Sequence, residues 1–259
     1  MIPSREIKKK AREAGVPVST VEKDYAQNWL LKNLSSINMA LKGGTGIRKV
    51  YIENYRFSDD LDFTLLEGIE AEEIKTKFKE AVLGSREESG ISFSEDFGFN
   101  ENENGFEIDV YFQITQRGPN RTRIKIDLTK YGNEKILLPL KMKSVIHPYG
   151  DNLSAQIEVY SLEEIVAEKI RSFFQRTRPR DLYDVYFLWD KVNTIIVKEI
   201  LPDKFKFKNV KLNLEDLTKR KEDFENAWIN SLKHQLKELP EFDVVFTEAV
   251  ERIKNEIQF

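Results

Sequence analysis

The sequence predicts an α+β protein: a mixed β-sheet with flanking helices, followed by a helical C-terminal part. Three observations carry that expectation. A glycine turn at Gly43-Gly44 precedes Arg56-Phe57-Ser58-Asp59-Asp60-Leu61-Asp62-Phe63, where apolar and acidic side chains alternate as they do along a half-buried strand. Residues 106–115 and 121–128 alternate in the same way around Arg117-Gly118-Pro119-Asn120, the signature of a hairpin. From Ser161 onward, apolar side chains recur at helical spacing instead. The expected boundary therefore falls near residue 160, with one domain over residues 1–160 and a mainly helical one over residues 161–259.

The elements follow in order. Ser19-Thr20-Val21-Glu22 has the form of a capping box and opens a helix to about Leu34. Residues 37–42 form a strand that enters the Gly-Gly turn, and residues 45–51 can start a helix. Residues 71–83 are amphipathic and helical. Residues 85–105 are polar and read as irregular, apart from a short strand at residues 91–93. Ser161-Leu162-Glu163-Glu164 is a second capping box, with its helix reaching about Gln175. Pro179 starts the next helix. Lys204-Phe205-Lys206-Phe207-Lys208 alternates base and ring, and reads as a half-buried strand with a wet face. Phe224, Trp228 and Leu232 sit at helical spacing and belong to a core.

Composition narrows the function classes. The 259 residues carry 41 Lys and Arg against 44 Asp and Glu, a net charge of −3, so generic charge-driven nucleic-acid binding is not indicated. An RNA substrate would need a local basic patch. The absence of cysteine excludes disulfides and cysteine-based zinc sites. No apolar run approaches ~18 residues and the first residues lack an apolar signal core, which points to a cytoplasmic protein with no membrane partner. His147 and His234 stand apart in the sequence with no metal-ligand company, and no Ser-His-Asp or cysteine nucleophile is apparent.

The chemistry concentrates in residues 41–65. Asp60 and Asp62 lie two apart on a strand, so they project from one face with Cα atoms roughly 6.5–7 Å apart. Such a pair can hold hard cations. The Gly-Gly turn lets the backbone approach an anion closely. Phosphate at the turn and metal at the strand together suggest a nucleoside triphosphate. In Arg123-Ile124-Lys125-Ile126-Asp127-Leu128, Asp127 shares the polar face with Arg123 and Lys125. It either joins Asp60 and Asp62 or pairs with those neighbours; Asp109 is a competing third carboxylate. Further along, Lys169 falls inside the apolar stripe formed by Leu162, Ile165, Val166, Ile170 and Phe173. An ammonium there needs a carboxylate or a phosphate nearby. Asp181 lies in angle between Val185 and Leu188, placed either to act in a site or to complement its helix N-terminus. Asp184 would be satisfied by Arg171, Arg178 or Arg180.

These segments resemble the nucleotidyltransferase superfamily, and within it the AbiEii/AbiGii-type abortive-infection toxins. The resemblance rests on Val21-Glu22-Lys23-Asp24-Tyr25, Lys42-Gly43-Gly44-Thr45, the Arg56-to-Phe63 segment, Ala167-Glu168-Lys169 and Pro179-Arg180-Asp181-Leu182-Tyr183-Asp184. It implies a nucleotidyltransferase-like catalytic domain whose cleft a helical domain completes. It further implies Mg²⁺ or Mn²⁺ on Asp60, Asp62 and Asp127, with Gly43, Gly44, Thr45 and Ser58 seating a nucleoside triphosphate. Lys169 would grip the triphosphate, Asp127 would serve as general base, and Asp181 would complete the catalytic set. The implied reaction transfers a nucleotide to an acceptor hydroxyl, with the tRNA 3′ end as acceptor and a cognate antitoxin encoded nearby. Gly46 departs from the family pattern, which has a side chain there. Two alternatives stay open: an antibiotic-type enzyme acting on a small molecule, and a non-catalytic nucleotide-dependent binding module.

Overall fold

A computed structural model describes residues 1–115 and 120–257, which fall into two compact units. The first comprises Met1–Glu134 and Leu140–Tyr160, the second Lys135–Pro139 and Ser161–Phe259.

The first unit is built on a mixed sheet. Its strands are β1 (Met39–Lys42), β2 (Asp60–Leu65), β3 (Ser92–Phe93), β4 (Gly98–Glu101), β5 (Gly105–Gln113), β6 (Thr122–Thr129), β7 (Lys141–Ser144) and β8 (Gln156–Val159). They lie in the order β3-β5-β6-β2-β1-β8-β7, with β4 also paired to β5. β2 runs antiparallel to β1 and parallel to β6, so the strand with the paired carboxylates sits inside the sheet between them. One face is apolar: Leu61 and Phe63 of β2, Ile124 and Ile126 of β6, and Ile108 and Val110 of β5 are completely buried. Helices α1 (Ser4–Ala14), α2 (Val18–Leu34) and α4 (Ala71–Ser89) complete this core. Burying a side chain such as Phe63 contributes about 1.5–3 kcal/mol, and a slip of one residue would turn it to the polar face.

Two expectations change here. The box at Ser19 does not form. The helix begins one residue earlier, after Pro17, and Glu22 accepts the amide of Thr115 at 2.7 Å instead. Residues 85–105 are more regular than their polarity suggests. Ser85 and Ser89 are buried and return their hydroxyls to the backbone of α4, which carries that helix to the left-handed Gly90 at φ +69°. Strand β4 then pairs with β5. The β5–β6 hairpin itself forms, with Phe112 opposite Thr122; Arg117, Gly118 and Pro119 of its expected turn lie outside the described residues.

The second unit is helical, with α5 (Leu162–Phe173), α6 (Pro179–Leu188), α7 (Thr194–Phe207), α8 (Leu214–Lys219), α9 (Lys221–Leu232) and α10 (Phe242–Glu256). Ser161 caps α5 by accepting the amide of Glu164 at 3.2 Å. The base–ring alternation at residues 204–208 is not a strand but the end of α7. Lys204 is fully buried there because its ammonium meets Glu164 at 2.6 Å, Glu168 at 3.0 Å and the Lys135 carbonyl at 2.6 Å. Phe173, Phe224, Trp228 and Phe246 form the core of this unit, as the spacing of Phe224, Trp228 and Leu232 implies. Among the described residues no helix is long and apolar enough to cross a membrane.

Candidate active site

The polar face of the sheet carries rows of charge fixed by strand register. Lys42 of β1 lies opposite Asp62, Asp62 opposite Asp127, and Asp127 opposite Glu107 of β5. In the neighbouring row, Asp60 faces Lys125 and Lys125 faces Asp109. Directly opposed side chains project from the same face. Asp60, Asp62 and Asp127 are therefore brought onto one surface by two adjacent strands. Lys125 sits among them, its ammonium 2.9 Å from Asp127 and 3.5 Å from Glu107. Partial burial would depress its pKa; the hydrogen bond to Asp127 and the charges of Asp127, Glu107 and Asp60 overcome that and raise it. Asp127 thus takes the ion pair that its neighbours in sequence offer, while Asp109 is drawn off by Arg123 at 3.1 Å.

The glycine turn closes on this face. Gly43 has φ +68°, and a Cβ there would stand 2.5 Å from an Asp62 carboxylate oxygen. A Cβ on Gly44 would stand 2.7 Å from the Arg56 guanidinium and 3.2 Å from the Ser58 hydroxyl. Gly43 is favoured by its left-handed backbone, Gly44 packs closely on Arg56 and Ser58, and the turn, Asp62, Arg56 and Ser58 form one packed group. The chain continues through a short helix, α3 (Gly43–Gly46), into a π-helical turn, Ile47–Tyr51, an irregularity frequent at functional sites. Gly46 keeps ordinary helical geometry with φ −56°, so its extra freedom is not used. The fully buried Thr45 donates its hydroxyl to the Asp60 carbonyl, tying turn to strand.

Helix α2 pins both segments from below. Lys23 meets Asp59 at 3.3 Å, and Gln27 donates to the carbonyls of Ser58 and Asp59 at 3.1 and 3.2 Å. Buried Asp24 accepts from Arg48 at 2.5 Å, Lys49 at 2.7 Å and the Tyr149 hydroxyl at 2.6 Å. Burial would raise the Asp24 pKa, but Arg48 and Lys49 hold it well below the usual carboxylate range. Burial in turn pushes Lys49 down to about 8 despite Asp24. Asp24, Arg48, Lys49 and Arg56 escaped the sequence reading as members of this site. The contacts of Asp24 with Arg48 and Lys49 join a helix to a distant turn, which leaves no local signal in the sequence. His147 also gains company that sequence distance hides, with Asp151 at 2.9 Å and Asn28 at 3.0 Å.

The second unit holds a separate cluster. Lys169 meets Asp181 at 2.6 Å and Asp184 at 2.9 Å, so carboxylates supply the negative charge that its apolar stripe demands. Lys169 is thus one partner of Asp184. Ser172 donates to Asp181 at 2.6 Å, and Arg176 lies 3.6 Å away. Burial raises the Asp181 pKa, yet Lys169 first and then Arg176 outweigh it and keep the carboxyl well below its ordinary value.

Among the described residues no three His, Cys, Asp or Glu side chains stand close enough to hold one ion. The donor chemistry of β2 still suits Mg²⁺, which characteristically takes one or two carboxylates and completes its shell with water and substrate phosphates.

Comparison with known proteins identifies the family and the fold. The model of the nucleotidyl transferase AbiEii toxin family, type IV toxin–antitoxin system, matches residues 28–252. The fold is shared with MenT4, the nucleotidyltransferase toxin Rv2826c from Mycobacterium tuberculosis H37Rv, at a TM-score of 0.68 and 18% identity. That alignment covers 98% of this chain and 90% of the other. It is shared also with JHP933 from Helicobacter pylori, at a TM-score of 0.61 and 19% identity over 92% of both chains. None of the curated proteins matches the chain. With most of its length matched, the glycine turn and the paired aspartates included, the chain belongs to the AbiEii family of nucleotidyltransferase toxins of type IV toxin–antitoxin systems.

Proposed function

We propose that the polar face of β2 is the catalytic centre of a metal-dependent nucleotidyl transfer to the 3′ end of tRNA. The observation that supports it best is the packing of Gly43 on the Asp62 carboxylate, which puts the turn suited to phosphate beside the residues suited to metal. Asp60 and Asp62 would hold Mg²⁺ or Mn²⁺, which supplies charge stabilisation at the phosphates. Gly43 and Gly44 offer the triphosphate a backbone surface free of side chains; Thr45 keeps that turn seated on β2, and Ser58 contributes its hydroxyl. The acceptor oxygen attacks the α-phosphorus, the α–β phosphoanhydride bond breaks, and pyrophosphate leaves. Asp127 takes the proton of the attacking hydroxyl. Positioning and charge stabilisation provide most of the rate. A cytoplasmic site of action and a cognate antitoxin complete the proposal.

Purified protein incubated with Mg²⁺, total tRNA and each α-labelled nucleoside triphosphate tests it. Label on RNA that disappears with Asp62→Ala or on chelation of the metal is expected, and the labelled nucleotide identifies the base. Label that never enters RNA would overturn the tRNA acceptor in favour of a small molecule.

A further inference from the structure

We propose that Lys125 is a built-in competitor of the divalent ion: its ammonium occupies the carboxylate face and must leave Asp127 when metal binds. The inference rests on the catalytic reading of that face. Register makes Lys125 the direct neighbour of Asp60 across β2 and β6, two residues before Asp127 and opposite Asp109. Its ammonium lies 2.9 Å from Asp127 and 3.5 Å from Glu107.

A row of carboxylates with no counter-charge repels itself, and one ammonium in its midst relieves that repulsion. A divalent ion on Asp60 and Asp62 would repel the ammonium beside them in turn, so the two cations compete for one field. The pair is also built to exchange. The Lys125 side chain is 31% exposed and that of Asp127 is 38% exposed, so the ammonium can swing into water without stranding a buried charge. Flexible, strongly hydrated lysine suits this role better than arginine, whose planar fork would grip a carboxylate through two bonds. The consequence is a carboxylate face that is partly neutralised without metal, and whose apparent metal affinity is set by an internal cation.

Calorimetric titration of Mn²⁺ into the nucleotide-free protein tests this without any activity readout. Lys125→Met is expected to bind Mn²⁺ about fivefold more tightly than wild type, the factor set by the upper worth of a part-exposed ion pair. Lys125→Arg, which keeps the charge, should bind no more tightly than wild type. In melting experiments Lys125→Met should gain more Tm from Mn²⁺ than wild type gains. Equal or weaker Mn²⁺ affinity in Lys125→Met, with wild type binding normally, would overturn the competitor role alone. Failure of both proteins to bind Mn²⁺ would overturn the metal site on which it rests.

Discussion

Lys125 and Lys169 each meet two carboxylates, and they do so in opposite surroundings. Lys125 lies on the open face of the sheet, with itself, Asp127 and Glu107 between 31% and 46% exposed. Lys169 lies within the helical unit, 12% exposed, against Asp181 at 3% and Asp184 at 0%. Water screens the first cluster and leaves it exchangeable. The second has given up its hydration, and its groups are committed to one another. The same residue types therefore make an adjustable site in one unit and a rigid one in the other.

The contrast is sharpest in stability. Lys169→Met would remove the ammonium that two buried carboxylates share and is expected to cost about 3–5 kcal/mol in urea unfolding. Lys125→Met should cost no more than about 1 kcal/mol. Equal losses in the two variants would erase the distinction. Acid should separate the regions next. The folded-state pKa of Asp181 is depressed below its ordinary 3.8, so its stabilisation is present above that value. It is lost as pH falls through the depressed folded value. The wild-type urea midpoint should fall steeply below about pH 4. Asp181→Asn, starting from a lower midpoint, should show a shallower acid slope.

The glycine turn gives a smaller effect on folding and a larger one on binding. Gly43→Ala places a Cβ against Asp62 in a left-handed conformation that costs about 1–2 kcal/mol. Gly44→Ala would press on Arg56 and Ser58 at a cost of about 1–3 kcal/mol. Both variants should keep the fold by circular dichroism while nucleotide affinity, measured by calorimetry, drops at least about tenfold, a loss of about 1.4 kcal/mol. Unchanged affinity would place the phosphates elsewhere.

What could be read from the chain beforehand divides along physical lines. Leu61 and Phe63 alternating with Asp60 and Asp62 announce a half-buried strand, because a period of two leaves little choice of face. The pairing of β2 with β6, which sets Asp127 opposite Asp62, depends on contacts between distant segments and could only be posed as a condition. The Lys125–Asp127 pair was legible as one of two outcomes, since both residues share a strand. The α2 network was not. Asp24, Arg48 and Lys49 meet only when a helix packs on a π-turn, and no local pattern encodes that meeting. At residues 204–208, burial of Lys204 against Glu164 and Glu168 overrode an alternating pattern that in isolation suggests a strand.

The role of the β2 carboxylates is tested most directly, and without knowing the acceptor, by expressing the wild type and Asp62→Asn in cells at matched protein levels. Growth arrest by the wild type and normal growth with Asp62→Asn is the predicted result. Arrest that persists in the Asp62→Asn strain would contradict the assignment of the polar face of β2 as the catalytic centre.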